Sequence, residues 1–326
     1  MRRVLITGGA GFIGSHLAEK LLDEGGFEVV VLDSFDEFYD PAVKRRNAQR
    51  ACEKAAKGAP YMLIEGDIRD EKLVGQLFSE NRFDQVVHIA ARAGVRPSIE
   101  APLLYESVNV HGTLVLLEAM RRTGVKDMVF ASSSSVYGEA EKVPFSETDP
   151  VDRPISPYAA TKRACEIALA TWHRLYKIEA AILRFFTVYG PRQRPDLAIA
   201  KFTRLIDEGK PIPVFGDGSA RRDFTYVEDI LQGIRSAMDR CRGYDIFNLG
   251  ESATTTVAEL IRMIEDSLGK KAQIDRRPAQ PGDVPVTYAD ISKAKAHLDY
   301  RPQTPIAEGV RRYVEWYRAE KKLNQH

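Results

Sequence analysis

The sequence predicts an α/β protein, a doubly wound parallel sheet with a smaller mixed α/β lobe appended. Three observations carry this. Short apolar runs alternate with helical patterns through the first half. The runs are apolar on consecutive residues, as strands covered on both faces are. Beyond about residue 190 the alternation gives way to Pro- and Gly-rich connections. Strand–helix alternation of this kind builds a parallel sheet with helices on both sides.

The expected strands are RVLIT (3–7), FEVVVLD (27–33), YMLIEGD (61–67), QVVHIAA (85–91), DMVFASS (127–133) and AAILRFF (180–186). Helices are expected near 14–24, 70–80, 104–123 and 157–176, and an Ala-, Lys- and Arg-rich stretch within 36–60 predicts an inserted helix. GPRQRPD (190–196), GKPIPVFGDGS (209–219) and RRPAQPGD (276–283) read as loops. Between them Val257, Leu260, Ile261, Ile264 and Leu268 mark one apolar helix face, with Thr256 and Glu259 as a capping box and Gly269 as the stop. The expected division is a sheet domain over 1–182, rejoined by about 224–250, and a second lobe from 183–223 and 251–326.

Net charge is +1 over 326 residues, so no basic footprint points to nucleic acid or an anionic membrane. Lys44, Arg45 and Arg46 read as a solvated helix face. Three scattered cysteines give neither a disulfide framework nor zinc spacing, and the six histidines form no HxxxH pattern, so no metal is expected. The opening MRRVLITGG is no signal peptide and no run is long enough to span a membrane. A soluble, cytoplasmic protein is the expectation.

TGGAGFIG (7–14) joins the first strand to the first helix, with Gly8, Gly11 and Gly14 in G-x-x-G-x-x-G spacing around Phe12 and Ile13. Glycines there let the chain turn sharply and let a pyrophosphate approach the backbone at a helix N-terminus. Asp33, followed by Ser34, ends the second strand, where a carboxylate accepts from both adenosine ribose hydroxyls and repels a 2′-phosphate. That favours NAD. The alternative is a purely structural turn. Asp67 and Ile68 in GDIRD are placed for the adenine, with helix capping as the alternative for Asp67. Ala90 and Ala91 leave room for a cofactor across the strand ends, and His88 reads as a packed strand residue.

SPYAATK (156–162) puts Tyr158 and Lys162 at i and i+4, on one helix face. An ammonium beside a phenol favours the phenolate and lowers its pKa from about 10. Such a tyrosinate can take a hydroxyl proton while a nicotinamide takes the hydride. Upstream, ASSSSVYG (131–138) sets four hydroxyls in a row, either as an idle polar loop or as ligand contacts.

Together the glycine spacing, the serine run and YxxxK resemble the extended short-chain dehydrogenase/reductases. LRFFTVYGPRQRPD, FGDGSARRDFTYVED, FNLGES and QPGDVPVTYADISKA are similar to substrate-lobe motifs of nucleotide-sugar epimerases and dehydratases. The resemblance implies a Rossmann domain, a tightly held NAD, a UDP-sugar between the lobes and a homodimer built through a four-helix bundle. It makes Ser133 the hydroxyl that bonds the reacting sugar OH, beside Tyr158 as base and Lys162. Similar dehydratases carry Asp-Glu where this chain has Ser134 and Ser135, and similar decarboxylases carry a Glu, so neither elimination is expected. The serine run with FFTVYGPRQRPD most resembles the UDP-glucuronate 4-epimerases. Ser134, Ser135 and Thr187 then become hydroxyls around a sugar carboxylate that guard against loss of CO2, and Arg194 adds charge there.

The resemblance also implies Arg222 on the UDP pyrophosphate, Phe215 over uracil and Asp283 on the uridine ribose. Arg277 stands in where relatives carry Arg at Gln280. Val95 and Arg96 approach the diphosphate or sugar, with a structural salt bridge as the alternative for Arg96, and Asn109 ties loop backbone near the nicotinamide ribose. Arg221 reads as surface. Epimerisation of neutral UDP-glucose, or dinucleotide sensing without turnover, are the rival functions.

Overall fold

A computed structural model describes residues 1–56, 58–139, 142–240, 242–278 and 284–323. In the first half β1 (Arg2–Thr7), α1 (Phe12–Glu24), β2 (Phe27–Asp33), α2 (Pro41–Ala55), β3 (Tyr61–Glu65), α3 (Glu71–Glu80) and β4 (Gln85–His88) follow in order. Then come α4 (Val95–Glu100), α5 (Pro102–Tyr105), α6 (Gly112–Thr123), β5 (Asp127–Ser133), α7 (Pro157–Tyr176) and β6 (Glu179–Phe185). The remainder holds β7 (Thr187–Tyr189), α8 (Ala198–Asp207), β8 (Ile212–Phe215), β9 (Arg221–Arg222), β10 (Phe224–Tyr226), α9 (Val227–Arg240) and β11 (Tyr244–Leu249). It ends with β12 (Thr255–Thr256), α10 (Val257–Leu268), β13 (Ile274–Arg277), α11 (Ser292–Leu298) and α12 (Ile306–Leu323).

Seven strands form one sheet in the order β11-β6-β5-β4-β1-β2-β3, every pairing parallel. Alternate residues feed opposite faces: Val4 and Ile6 join the core that α1 and α9 cover, and Leu5 joins the core under α3, α6 and α7. The strand order reverses between β1 and β4, and in doubly wound sheets a ligand crevice opens at such a switch point. The first core runs on without a break into the lobe, through Phe202, Ile212, Leu260 and Val310. There β7 pairs with β10 and β8 with β13, while α10 packs between α8 and α12. The predicted cap forms in full, with Thr256 and Glu259 bonding reciprocally and Gly269 left-handed at the stop.

Two expectations need correction. The helix expected over 104–123 is interrupted by a π-turn at Glu106–His111. The Asn109 carbonyl there accepts from the Thr113 hydroxyl (2.5 Å) and the Cys165 thiol (3.2 Å), which draws it off the helical ladder. The stretches read as loops at 209–219 and 276–283 contain β8 and the end of β13, which satisfy each other's backbone groups by pairing. Proline is tolerated in β8 because that two-stranded sheet leaves an edge free.

Gly309 sets how closely α12 approaches the lobe, since a Cβ there would stand 2.0 Å from the Tyr189 hydroxyl and 2.6 Å from its ring. Tyr189 is buried and cannot yield. Alanine gains about 1 kcal/mol of helix propensity, and overpacking costs about 1–3 kcal/mol. Gly309→Ala is therefore expected to lower stability in urea unfolding.

Candidate active site

A cleft of about 480 Å³ opens at the switch point, between the ends of the sheet strands and the lobe. Its floor is the turn after β1. There Gly8 is left-handed (φ +72°), and a Cβ on it would meet the Ala90 backbone at 2.8 Å. A Cβ on Gly14 would meet the Gly8 carbonyl at 2.2 Å. These approaches bring the start of α1 against the loop after β4 and leave a shallow, side-chain-free cradle. Gly8, Gly11, Phe12, Ile13, Gly14, Asp33, Ser34, Asp67, Ile68, Ala90 and Ala91 all line the cleft.

Asp33 is buried and accepts from the Ala10 and Phe35 backbone N–H groups, each at 2.9 Å. Burial raises its pKa, and those bonds with the Lys44 charge oppose the rise. Asp67 behaves differently from a lone adenine acceptor: Arg69 takes both its oxygens, at 3.0 and 2.6 Å, and lowers its pKa. His88 is a buried, packed residue, its ring nitrogens engaged by Thr7 (2.7 Å) and Thr113 (3.0 Å). Asn109 stands behind the cleft wall and clamps Arg92, accepting from its N–H (2.8 Å) and donating to its carbonyl (3.0 Å).

On the sugar side Ser133, Ser135, Tyr158, Lys162, Thr187, Arg194 and Val95 share the cleft. The Ser133 hydroxyl caps the short 3-10 turn that follows, accepting from the Ser135 N–H at 3.1 Å, and also donates to the Ser135 hydroxyl at 3.1 Å. Tyr158 opens α7, capped by Ser156. Enclosure pushes its phenol up, and the Ser133 hydroxyl and the Arg194 charge pull it back. Lys162 lies one helical turn further along α7. Its ammonium donates to the Ala131 carbonyl (2.7 Å), and its own pKa falls to about 8 through burial. The groups favouring the phenolate here are Ser133 and Arg194.

Ser134 does not line the cleft, and neither do Arg96, Phe215, Arg222 and Arg277. Arg96 instead stacks on Phe215, 4.3 Å from the ring centre, which joins α4 to β8. Arg222 donates to the Arg221 and Pro285 carbonyls, and Arg277 pairs with Asp275. Arg221 is no free surface residue, since it donates to the Thr254 hydroxyl and carbonyl. Asp283 and Gln280 lie outside the described residues. Lys44 is a further correction: it is buried in the cleft wall, its ammonium over the Tyr39 ring (4.7 Å) and donating to the Asp36 carbonyl (2.5 Å).

Sequence reasoning missed Glu166, one helical turn beyond Lys162. It is fully buried and accepts from Ser132 (2.6 Å), from Arg184 at both Nε (2.9 Å) and Nη2 (2.8 Å), and from Arg163 (3.1 Å). Arg184 also stacks on Tyr137 of the VYG turn, at 4.8 Å. The i+4 spacing from Lys162 was the available signal. Asp36, Phe38 and Arg92, also in the cleft wall, carried no motif.

A family model described as GDP-mannose 4,6 dehydratase matches residues 5–313. A UDP-glucuronate 4-epimerase from Thermodesulfobacterium geofontis is 42% identical over 96% of this chain and 95% of its own. The UDP-glucuronic acid 4-epimerase of Bacillus cereus, solved with UDP-glucuronic acid and NAD, is 34% identical. It superposes with a TM-score of 0.89 over 98% of this chain and 99% of its own. The UDP-glucose 4-epimerase of Thermotoga maritima, solved with UDP-glucose, is 34% identical with a TM-score of 0.88 over 98% and 99%.

Burial opposes ionisation of Glu166, but Arg184, Ser132 and Arg163 together outweigh it and hold the carboxyl below its usual 4.5. A depressed folded-state pKa gives stability that is present above the unfolded value and is lost as pH falls through the folded one. Glu166→Gln leaves the Arg184 charge buried without a counterion. It is expected to cost about 3–5 kcal/mol in denaturant unfolding at neutral pH, with a smaller difference from wild type in acid.

Proposed function

This chain belongs to the GDP-mannose 4,6 dehydratase family, within the extended short-chain dehydrogenase/reductases, and on that premise we propose that it is an NAD-dependent UDP-glucuronate 4-epimerase. The observation that carries the reading is Ser133, Tyr158, Ser135, Thr187 and Arg194 in one cleft with the glycine cradle and Asp33, and no carboxyl group at 134 or 135. We take residues 1–182 with about 224–250 as the dinucleotide-binding unit and the rest as the sugar-nucleotide lobe.

The cradle fits a dinucleotide: the turn is built on glycines, α1 presents its N-terminal N–H groups, and Asp33 in the same cleft is the carboxylate this reading assigns to the ribose. When bound, NAD supplies the acceptor and later the donor of one hydride. The protein's own part is proton handling and positioning. Tyr158 takes the 4-OH proton, Ser133 shares that hydrogen bond, and Lys162, anchored on Ala131, holds the ribose. The 4-keto sugar turns about its diphosphate link, and Tyr158 returns the proton when the opposite face is reduced.

A 4-keto uronate is a β-keto acid that sheds CO2 when its carboxylate is desolvated. Ser135 and Thr187 can donate to that carboxylate and Arg194 can pair with it, keeping it solvated. Ser134 is the weakest member of the expected set. Arg222, Arg277 and the Arg96–Phe215 pair serve this reading as diphosphate and uracil contacts outside the cleft proper.

Among the described residues no helix is long and apolar enough to cross a membrane. We read the protein as a cytoplasmic homodimer. Leu103, Ile167 and Leu175, exposed on α5 and α7, are the apolar positions a helical interface would cover.

Purified protein given UDP-glucuronate is expected to form UDP-galacturonate, and Tyr158→Phe to lower kcat by about 10²–10⁴. Faster turnover of UDP-glucose would favour the neutral-sugar reading, and full activity in Tyr158→Phe would favour a sensor. Because Arg194 favours the phenolate, Arg194→Met is expected to move the acid limb of the kcat/KM profile to higher pH. Thr187→Val is expected to raise CO2 and UDP-pentose output over wild type.

A further inference from the structure

Phe38 lies in the connection from β2 to α2 and meets the cleft from two sides. The Arg92 guanidinium stands 4.9 Å from its ring centre and that of Arg194 5.0 Å. Arg92 follows β4, in the nucleotide half, whereas Arg194 follows β7, beside the sugar-side hydroxyls. Two guanidinium ions near one ring would repel, but each has its own carboxylate. Asp36 takes Arg92 at 2.7 and 2.8 Å, and Asp196 takes Arg194 at 3.0 and 2.8 Å. Asn109 fixes the Arg92 backbone from behind. Lys44 over Tyr39 adds a third cation–ring contact to the same connection.

The chain leaving Asp33 is thus pinned to both halves of the cleft. Arg92 Nε is buried with no acceptor among the described residues, so the Phe38 ring and Asp36 are what hold this guanidinium in the wall. We propose that the Arg92–Phe38–Arg194 stack is a clasp that retains the dinucleotide. The inference rests on the reading of this cleft as an NAD site. Epimerisation gives a physical reason for such a clasp. A bound dinucleotide would have to take and return the same hydride, so loss of either it or the ketone sugar in between would leave the reaction unfinished. Holding the connection that begins at Asp33 against the cleft slows that release.

Dissociation of NAD from the loaded protein tests this, measured as dinucleotide in the denatured protein fraction at timed intervals after desalting. Phe38→Leu keeps an apolar side chain but removes the ring, and is expected to speed loss about tenfold. Arg92→Met is expected to act in the same direction, and Phe38→Trp to restore slow release. The clasp is overturned if Phe38→Leu, with a wild-type melting temperature, releases NAD within twofold of wild type, or if Phe38→Trp releases as fast as Phe38→Leu. Should Phe38→Leu fail to fold, the Arg92→Met rate decides by the same twofold limit. A wild-type protein that neither holds NAD nor takes it up overturns the cleft reading instead.

Discussion

The convergence of Ser132 and Arg184 on the Glu166 carboxylate is the constraint on which the catalytic edge depends. Ser132 arrives from β5, Arg184 from β6, and Glu166 from α7, all in the interior. By strand alternation Ser132 faces α7, as Met128 and Phe130 do, and Ser133 faces the other way, into the cleft. Holding Ser132 therefore holds Ser133. The same carboxylate fixes the roll of α7 one turn beyond Lys162 and so fixes Tyr158 at the helix start. Buried charge is expensive to assemble and more expensive to half-dismantle, which suits it to specifying one geometry. Arg184 passes the constraint on through Tyr137, whose hydroxyl donates to Asn248 on β11 at 2.7 Å.

The sheet was legible because strands buried on both faces are apolar over several consecutive residues, and the expected runs coincide with β2 and β5 and fall within one residue of β1. The lobe was less so. Its strands are two to four residues long, and β8, β9 and β13 carry Pro213, Arg221 and Arg277, so neither length nor apolarity announces them. The π-turn escaped for a similar reason. Nothing local to residues 106–111 marks it, since the thiol that helps draw its carbonyl away comes from Cys165 on α7.

In the cleft, the three glycines, Asp33, Tyr158 and Lys162 were readable from spacing, and Ser133 from the family resemblance. Arg194 came only with the family resemblance, and Lys44 and Arg92 were not read into the cleft at all. Lys44, Arg92 and Arg194 owe their placement to rings and carboxylates far away in sequence, and a charge in a sequence reads as solvated until its partner is known. The hydrogen bond that Lys162 makes was not readable either. Sharing a helix face permits contact, but the Ala131 carbonyl competes for the ammonium and holds it.

The strand at one border of the sheet, β11, lies beyond the first lobe elements in sequence yet pairs with β6. A ribosome must therefore deliver β7 through α9 before the sheet can close. Until then β6 presents an open parallel edge and Tyr137 lacks its partner Asn248. The nascent chain thus cannot finish its nucleotide half and then fold its sugar half as a separate event. Both walls of the crevice mature together, late, and an interruption of synthesis before residue 249 leaves an adhesive edge rather than a working half-enzyme.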